Sequence, residues 1–414
     1  MFTQKFKVQE VFSPRRAEVN EKIYIHRPDL EDELKKAING SLNVVLYGES
    51  GSGKSWLYKK SLADLSALVV NVNCAQVSRN GSISDEICKA AIPAGTMTVA
   101  GITEKKEASV STVVATGKLD HTKNYQVAQE DPLLLAFRTL RKSAGGESVV
   151  VVLDNLELIF DTPARMDELA SILTLLDDST FAPFAIKFMI VGTRSEIRDY
   201  FIKTKNLPTV ANRLRVLNEV KSLSRIQVDQ LTTKGFKELL HANIPDQIFK
   251  LWQQHIWNVT LGIPQSIHEY CEHLGHLLEQ NDWRGEEQHT HEADTKWLAQ
   301  GLRSSYDIIE SVMNEKRTEA GRRNQVLYAL SGIQNRLFNY SDVENIIRRE
   351  FPISTGGKQL NVSQLLSELS KRENPIIKQP QKSSDYEFTQ ARYLMCIRAM
   401  LSKTADEKVE KIDL

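Results

Sequence analysis

Gly48-Glu49-Ser50-Gly51-Ser52-Gly53-Lys54-Ser55 is the stretch of this sequence whose residue types and spacing carry the most chemistry. Glycines at 48, 51 and 53 let the backbone curl so that successive N–H groups point inward at one anion. Lys54 then offers an ammonium to the outer phosphates of a nucleotide, and Ser55 a hydroxyl to a divalent cation. The pattern is GxxxxGKS, which works as a phosphate cradle only between a strand and a helix, where the helix N-terminus adds its own N–H groups. Both flanks are present: Asn43-Val44-Val45-Leu46-Tyr47 is a short β-rich run, and Trp56 to Leu65 is helically patterned. The expected ligand is ATP with Mg²⁺.

A phosphate cradle needs an acid on a neighbouring strand to complete the magnesium shell. Val149-Val150-Val151-Val152-Leu153-Asp154 supplies it, so Asp154 and Ser55 are the expected Mg²⁺ ligands. The following residue is Asn155, and the nearest acid beyond it is Glu157, the candidate for polarising the attacking water. A further run, Ile186 to Val191, ends in Gly192-Thr193-Arg194-Ser195, where Arg194 could sense the γ-phosphate. Arg213, Arg215 and Arg225 could offer an arginine finger to a neighbouring subunit's phosphate, but they have no matched spacing and read first as ordinary surface arginines.

These residues need a frame, and the chain alternates strand and helix through its N-terminal half. Pro28 to Asn39 opens with the proline and carboxylates of a helix N-terminus. Leu68 to Val72, Ser148 to Leu153 and Ile186 to Val191 read as buried parallel strands, with helices at Ile83 to Ala91, Pro132 to Lys142 and Met166 to Leu176 between them. This predicts a three-layer α/β domain over residues 23–223, preceded by an N-terminal extension, 1–22. A Thr-, Val- and Lys-rich stretch at about 94–131 reads as an inserted β-hairpin. Residues 224–300 are expected to form a helical lid, in which Asn281 to Asp294 reads as an exposed loop. Residues 301–403 combine three short helices with two runs, Pro375 to Lys378 and Tyr386 to Phe388, that suggest a winged helix, leaving a tail at 404–414.

The chain has 414 residues, room for two or three domains, and 41% apolar and 26% charged residues, a globular composition. Basic and acidic residues balance at 53 each, so any nucleic-acid contact must come from a local patch. Arg348, Arg349, Lys358, Lys371, Arg372, Lys378, Lys382 and Arg392 are the candidates, although Asp342, Glu344, Glu350, Glu368 and Glu373 interleave with them. Apolar runs are too short to span a bilayer, no export signal opens the sequence, and four scattered cysteines suit a reducing compartment, so a cytoplasmic protein without a membrane partner is expected. His268, Glu272 and His276 share a helix face, but polar surface residues are the simpler reading than a zinc site.

Together these residues resemble the STAND and initiator-type branches of the AAA+ P-loop ATPases, the NACHT, NB-ARC and origin-recognition group, over roughly residues 23–401. Asp154-Asn155-Leu156-Glu157 is similar to the NACHT spacing of a magnesium acid and a second acid, and Thr193-Arg194 to the STAND sensor. The resemblance implies that Arg27, within Ile25-His26-Arg27-Pro28, packs near the adenine. It likewise implies that Pro264, in Leu261-Gly262-Ile263-Pro264-Gln265, lies against the base. Gln265 stands where initiator-type relatives commonly have Arg, which implies slow turnover. The implied function is an ATP/ADP switch that binds and slowly hydrolyses ATP, forms a homo-oligomer and signals to a separately encoded effector, as in prokaryotic antiviral defence. The alternative is a DNA-binding ATPase of the initiator or transposition-regulator type.

Overall fold

The computed structural model describes residues 6–91, 131–193, 210–314, 321–380 and 383–414. The chain divides into two compact units. A sheet unit comprises Arg27–Ser50 and Lys54–Val220. A helical unit comprises Met1–His26, Gly51–Gly53 and Lys221–Leu414.

In the sheet unit, β1 (Asn43–Tyr47), β2 (Leu68–Asn73), β3 (Val149–Asp154), β4 (Ile186–Gly192) and β5 (Leu214–Val216) form one sheet in the order β2-β3-β4-β1-β5. Every neighbouring pair is parallel. The central strand β3 shows why. Val149, Val151 and Leu153 enter one apolar cluster, while Val150 and Val152 enter another on the opposite face. A strand whose alternate residues are all fully buried must be covered on both sides. The helices Pro28–Ile38 and Lys54–Asp64, α2 and α3 after the short α1 (Val8–Val11), supply Leu34, Ile38, Leu57 and Leu62 to the second cluster. On the first face, α4 (Cys74–Asn80), α5 (Ile83–Ala91), α6 (Pro132–Ala144) and α7 (Pro163–Leu175) contribute Val77, Ile87, Phe137 and Leu169. Each such side chain contributes about 1.5–3 kcal/mol of burial.

This is the parallel five-stranded sheet with flanking helices of a P-loop α/β fold. The four expected strands form within a residue of their predicted ends, and β5, only three residues long, is additional. The expected hairpin at about 94–131 lies outside the described residues except for Asp131, which caps α6 by accepting the Leu133 and Leu134 N–H groups.

In the helical unit part of the segment expected as an N-terminal extension is buried. Val8, Val11 and Phe12 are at most 1% exposed. Phe12 packs at 4.8 Å from Phe236 on the π-helix Thr233–Leu239. A Cβ on Gly235 would lie 2.4 Å from the Phe12 ring, and one on Gly275 2.6 Å from Val8, so glycine at both places lets the strap lie flat. The Ser13 N–H donates to His268 Nδ1 (3.2 Å), and burial holds that imidazole down at about 4. His268 is thus a packing and hydrogen-bonding residue, and among the described residues no group of three or more His, Cys, Asp or Glu side chains could hold a metal ion.

One expectation fails here. Asn281 to Asp294 is not all exposed loop, because the helix His289–Gln300 begins inside it and both His289 and Asp294 are buried. Asp294 tolerates burial because Tyr270 Oη donates to its Oδ1 (2.9 Å) and His255 Nε2 lies 2.9 Å from the same oxygen. Further on, the helices Arg322–Ser331, Tyr340–Glu350 and Val362–Ser370 precede an antiparallel pair, Ile377–Lys378 with Glu387–Phe388. The helix Ala391–Met400 follows, and the chain ends in a second pair, Leu401–Lys403 with Val409–Lys411. Arg398 binds these pieces by donating to the carbonyls of Asn258, Ser331 and Ile333 (2.8–2.9 Å), at or near the ends of two helices. No helix among the described residues is long and apolar enough to cross a membrane.

Candidate nucleotide site

The strand β1 delivers the chain to Gly48, and α3 begins at Lys54 itself. Between them Gly51 and Gly53 take φ of +78° and +90°, conformations that side-chain-bearing residues resist. Lys54 Nζ donates to the carbonyls of Gly48 (2.8 Å) and Glu49 (2.9 Å). Its ammonium is therefore already aimed across the loop, where phosphate oxygens can take over from the carbonyls. Burial lowers the Lys54 pKa, against the opposing pull of Glu157, Asp154 and Glu49. Three carboxylates thus favour the charged form that phosphate binding requires. Ser52 is buried in the loop, whereas Ser50 and Ser55 face solvent.

The acids come from the next strand but one. β1 and β3 flank β4, with Tyr47 level with Gly192 and Leu153 level with Ile190, so the loop and Asp154 emerge at the same edge of the sheet. In open parallel sheets that carboxyl edge is where ligands bind. Asp154 is half-buried, and both carboxylate oxygens are engaged: Oδ1 accepts the Asn155 N–H (2.9 Å) and Oδ2 the Tyr58 hydroxyl (3.2 Å). Each oxygen keeps a further lone pair. With the Ser55 hydroxyl this is a hard-oxygen donor set that fits Mg²⁺, which binds through one or two protein oxygens and substrate phosphates.

Asn155 adopts φ +61° and donates from Nδ2 to Asn73 Oδ1 (3.1 Å) at the tip of β2. Asn73 also caps α4 through the Ala75 N–H (2.9 Å). Glu157 lies exposed on the one-turn helix Leu156–Leu158. Neighbouring Cys74 is buried, and its thiol is pushed up to about 12, first by burial and then by Asp154 and Glu157, which removes it from nucleophilic chemistry.

The other expected residues are placed as follows. Arg27 is half-buried at the N-cap of α2, its N–H donating to Glu31 Oε1 (2.8 Å). Pro264 is the first residue of the helix Pro264–Gln280. Before it, Gly262 takes φ +69°, and a Cβ there would meet the Leu223 carbonyl at 2.4 Å, so Gly262 is fixed by backbone approach. The Gln265 amide donates to Glu269 Oε1 (3.0 Å). Arg194 lies outside the described residues. Arg213, paired with Asp177 at 2.5 Å, stands at the start of β5, the sheet edge away from the loop. Arg225 pairs with Asp229. Sequence reasoning missed Tyr58 and Asn73. Tyr58 stands four residues after Lys54, one turn along the same helix face, and Asn73 directly follows a β-rich run; both signals are local once the strand order is known.

The comparisons with known proteins agree with this geometry. Residues 38–201 match the family described as AAA domain. A Walker-type ATPase of Pyrococcus abyssi, PABY2304, superposes with TM-score 0.51 at 15% identity, covering 92% of this chain and 98% of that one. The ORC2 protein of Aeropyrum pernix, in a structure of its ADPNP-ADP complexes, gives TM-score 0.51 at 12% identity, covering 95% of this chain and 98% of that one. At these identities the likeness is one of fold. A search of curated proteins finds no match to this sequence. The AAA domain match includes the loop 48–55, Asp154 and Glu157, the residues brought to one edge of the sheet.

Proposed function

We propose that this protein is a Mg²⁺-dependent ATPase whose nucleotide state serves as a slow switch for self-association and for signalling to a separately encoded effector. The observation that carries the reading is the alignment of the Gly48–Ser55 loop and Asp154 at the carboxyl edge of one parallel sheet. Lys54 and the loop N–H groups would hold the phosphates, and Ser55 and Asp154 would hold Mg²⁺, whose charge neutralises the developing negative charge on the transferred phosphoryl group. Glu157 would orient the attacking water and Arg194 would contact the γ-phosphate. Slow turnover is supported by two neutral side chains, Asn155 directly after Asp154 and Gln265 bonded within its own helix. A γ-phosphate can act as a switch only if one arrangement of the protein binds it better than another, and ADP then relaxes the bias.

The test is ATP binding and phosphate release in the wild type and in Lys54→Ala. Wild type should bind ATP and turn over at roughly 1 s⁻¹ or below, the lower end of enzyme rates. Lys54→Ala should lose both. Equal phosphate release by the two proteins rejects the reading.

A second reading, a DNA-handling ATPase, is supported by the C-terminal part of the helical unit. Its helices followed by an antiparallel pair have the order of a winged helix, with exposed Lys371 and Arg372 directly after the helix Val362–Ser370.

A further inference from the structure

Tyr58 is 2% exposed and packs in the apolar cluster with Leu34, Leu57, Leu62 and Val152, yet its hydroxyl reaches a carboxylate, Asp154 Oδ2, at 3.2 Å. Asp154 Oδ1 is held from the other side by the Asn155 N–H at 2.9 Å. A carboxylate bonded at both oxygens by groups on different elements cannot rotate freely. The two restraints differ in origin. The Asn155 bond is made within the chain turn that Asp154 itself begins, whereas the Tyr58 bond reaches across from α3, the helix that also carries Lys54 and Ser55.

We propose that Tyr58 is a positioning residue for the cation site, its hydroxyl fixing the Asp154 carboxylate relative to the α3 segment that presents Ser55. The inference rests on the nucleotide-site reading above and goes beyond it, because it adds a residue outside the GxxxxGKS and strand-end motifs. Metal-holding carboxylates act from a fixed direction only when their second contacts are made, and loss of such a contact typically weakens the metal about 10- to 100-fold. Since Asn155 still holds Oδ1, the lower end of that range applies here.

The alternative explanation is that a buried tyrosine merely finds a partner for its hydroxyl. Removing the oxygen alone separates the two. Tyr58→Phe keeps the ring and its packing, and the measurement is binding of a fluorescent ATP analogue, titrated with Mg²⁺ and repeated in EDTA, with no turnover required. Positioning predicts that the Mg²⁺ midpoint rises about 10-fold while affinity in EDTA stays equal to wild type. It also predicts that Tyr58→Phe adds nothing further in an Asp154→Asn background, because residues acting through one group are not additive. An unchanged Mg²⁺ midpoint, an equal loss in EDTA, or full additivity with Asp154→Asn each overturns the proposal. Failure of the underlying reading looks different: wild type itself would then show no Mg²⁺-dependent binding, and both would fall.

Discussion

In the proposed mechanism the part of water-orienting acid falls to Glu157 and not to Asn155, the residue directly after Asp154. Asn155 is turned by its left-handed backbone, and its amide is engaged by Asn73, which leaves Glu157 as the exposed acid nearest in sequence to Asp154. Glu157 is also the largest carboxylate influence favouring the Lys54 ammonium. A water-orienting acid typically contributes 10²–10⁴-fold to the rate, so Glu157→Gln should lower phosphate release by about that factor. ATP affinity should change little, since Asp154 and Glu49 still face Lys54. Single-turnover release measured with bound ATP checks this, and a rate equal to wild type would remove Glu157 from the mechanism. The loop and Asp154 are legible in the sequence because each is a contiguous run with its own flanking strand. The Tyr58 contact is not, because 96 positions separate its partners and only the strand order brings them together.

At the scale of elements, long β-branched runs declared β1 to β4, while β5 is three residues long and gains its pairing only from its place beside β1. The helix His289–Gln300 was hidden for the opposite reason. Its polar residues mimic a loop until Tyr270 and His255 are seen to satisfy Asp294. The strap at Val8 to Phe12 was equally hidden, because nothing local announces that Gly235 and Gly275, far along the chain, make room for it. This strap has a pH signature. Burial lowers the His268 pKa from the usual 6.5 to about 4. Between those values the unfolded chain holds a proton at this site that the folded chain does not. Stability is therefore full above pH 6.5 and falls as pH drops through the window, by about 3 kcal/mol once below 4. Urea midpoints at pH 7 and pH 4.5 should show a smaller loss in His268→Asn, whose amide oxygen can still accept the Ser13 N–H. An identical loss in both proteins would mean that the ring takes up its proton without resistance.

Across the whole molecule, formal charge is zero, and several basic residues of the C-terminal region are paired with acids. Arg348 pairs with Glu344, Arg349 with Glu350, Arg323 with Glu368, and both Arg336 and Lys378 with Glu387. Such surface pairs contribute only about 0–1 kcal/mol each to stability, but they lower the net cationic charge presented to a phosphate backbone. Lys371 and Arg372 remain exposed beside Glu373. Duplex binding would then neutralise few phosphates. Because log K falls with log salt at about 0.9 per phosphate contact, a slope no steeper than about 2 is expected, against about 5–9 for a protein with 6–10 phosphate contacts. The switch reading makes a separate demand on size, since ATP without DNA should enlarge the particle and ADP should not. Sedimentation with ATP, ADP and duplex DNA, each alone and together at low and physiological salt, decides between the two. A steep salt slope that vanishes when Arg348, Arg349, Lys371 and Arg372 are reversed to Glu, with growth only when DNA is present, would transfer the function to DNA handling. ATP-driven growth in the absence of DNA, lost in Lys54→Ala, is the outcome expected from the paired surface and the intact phosphate loop.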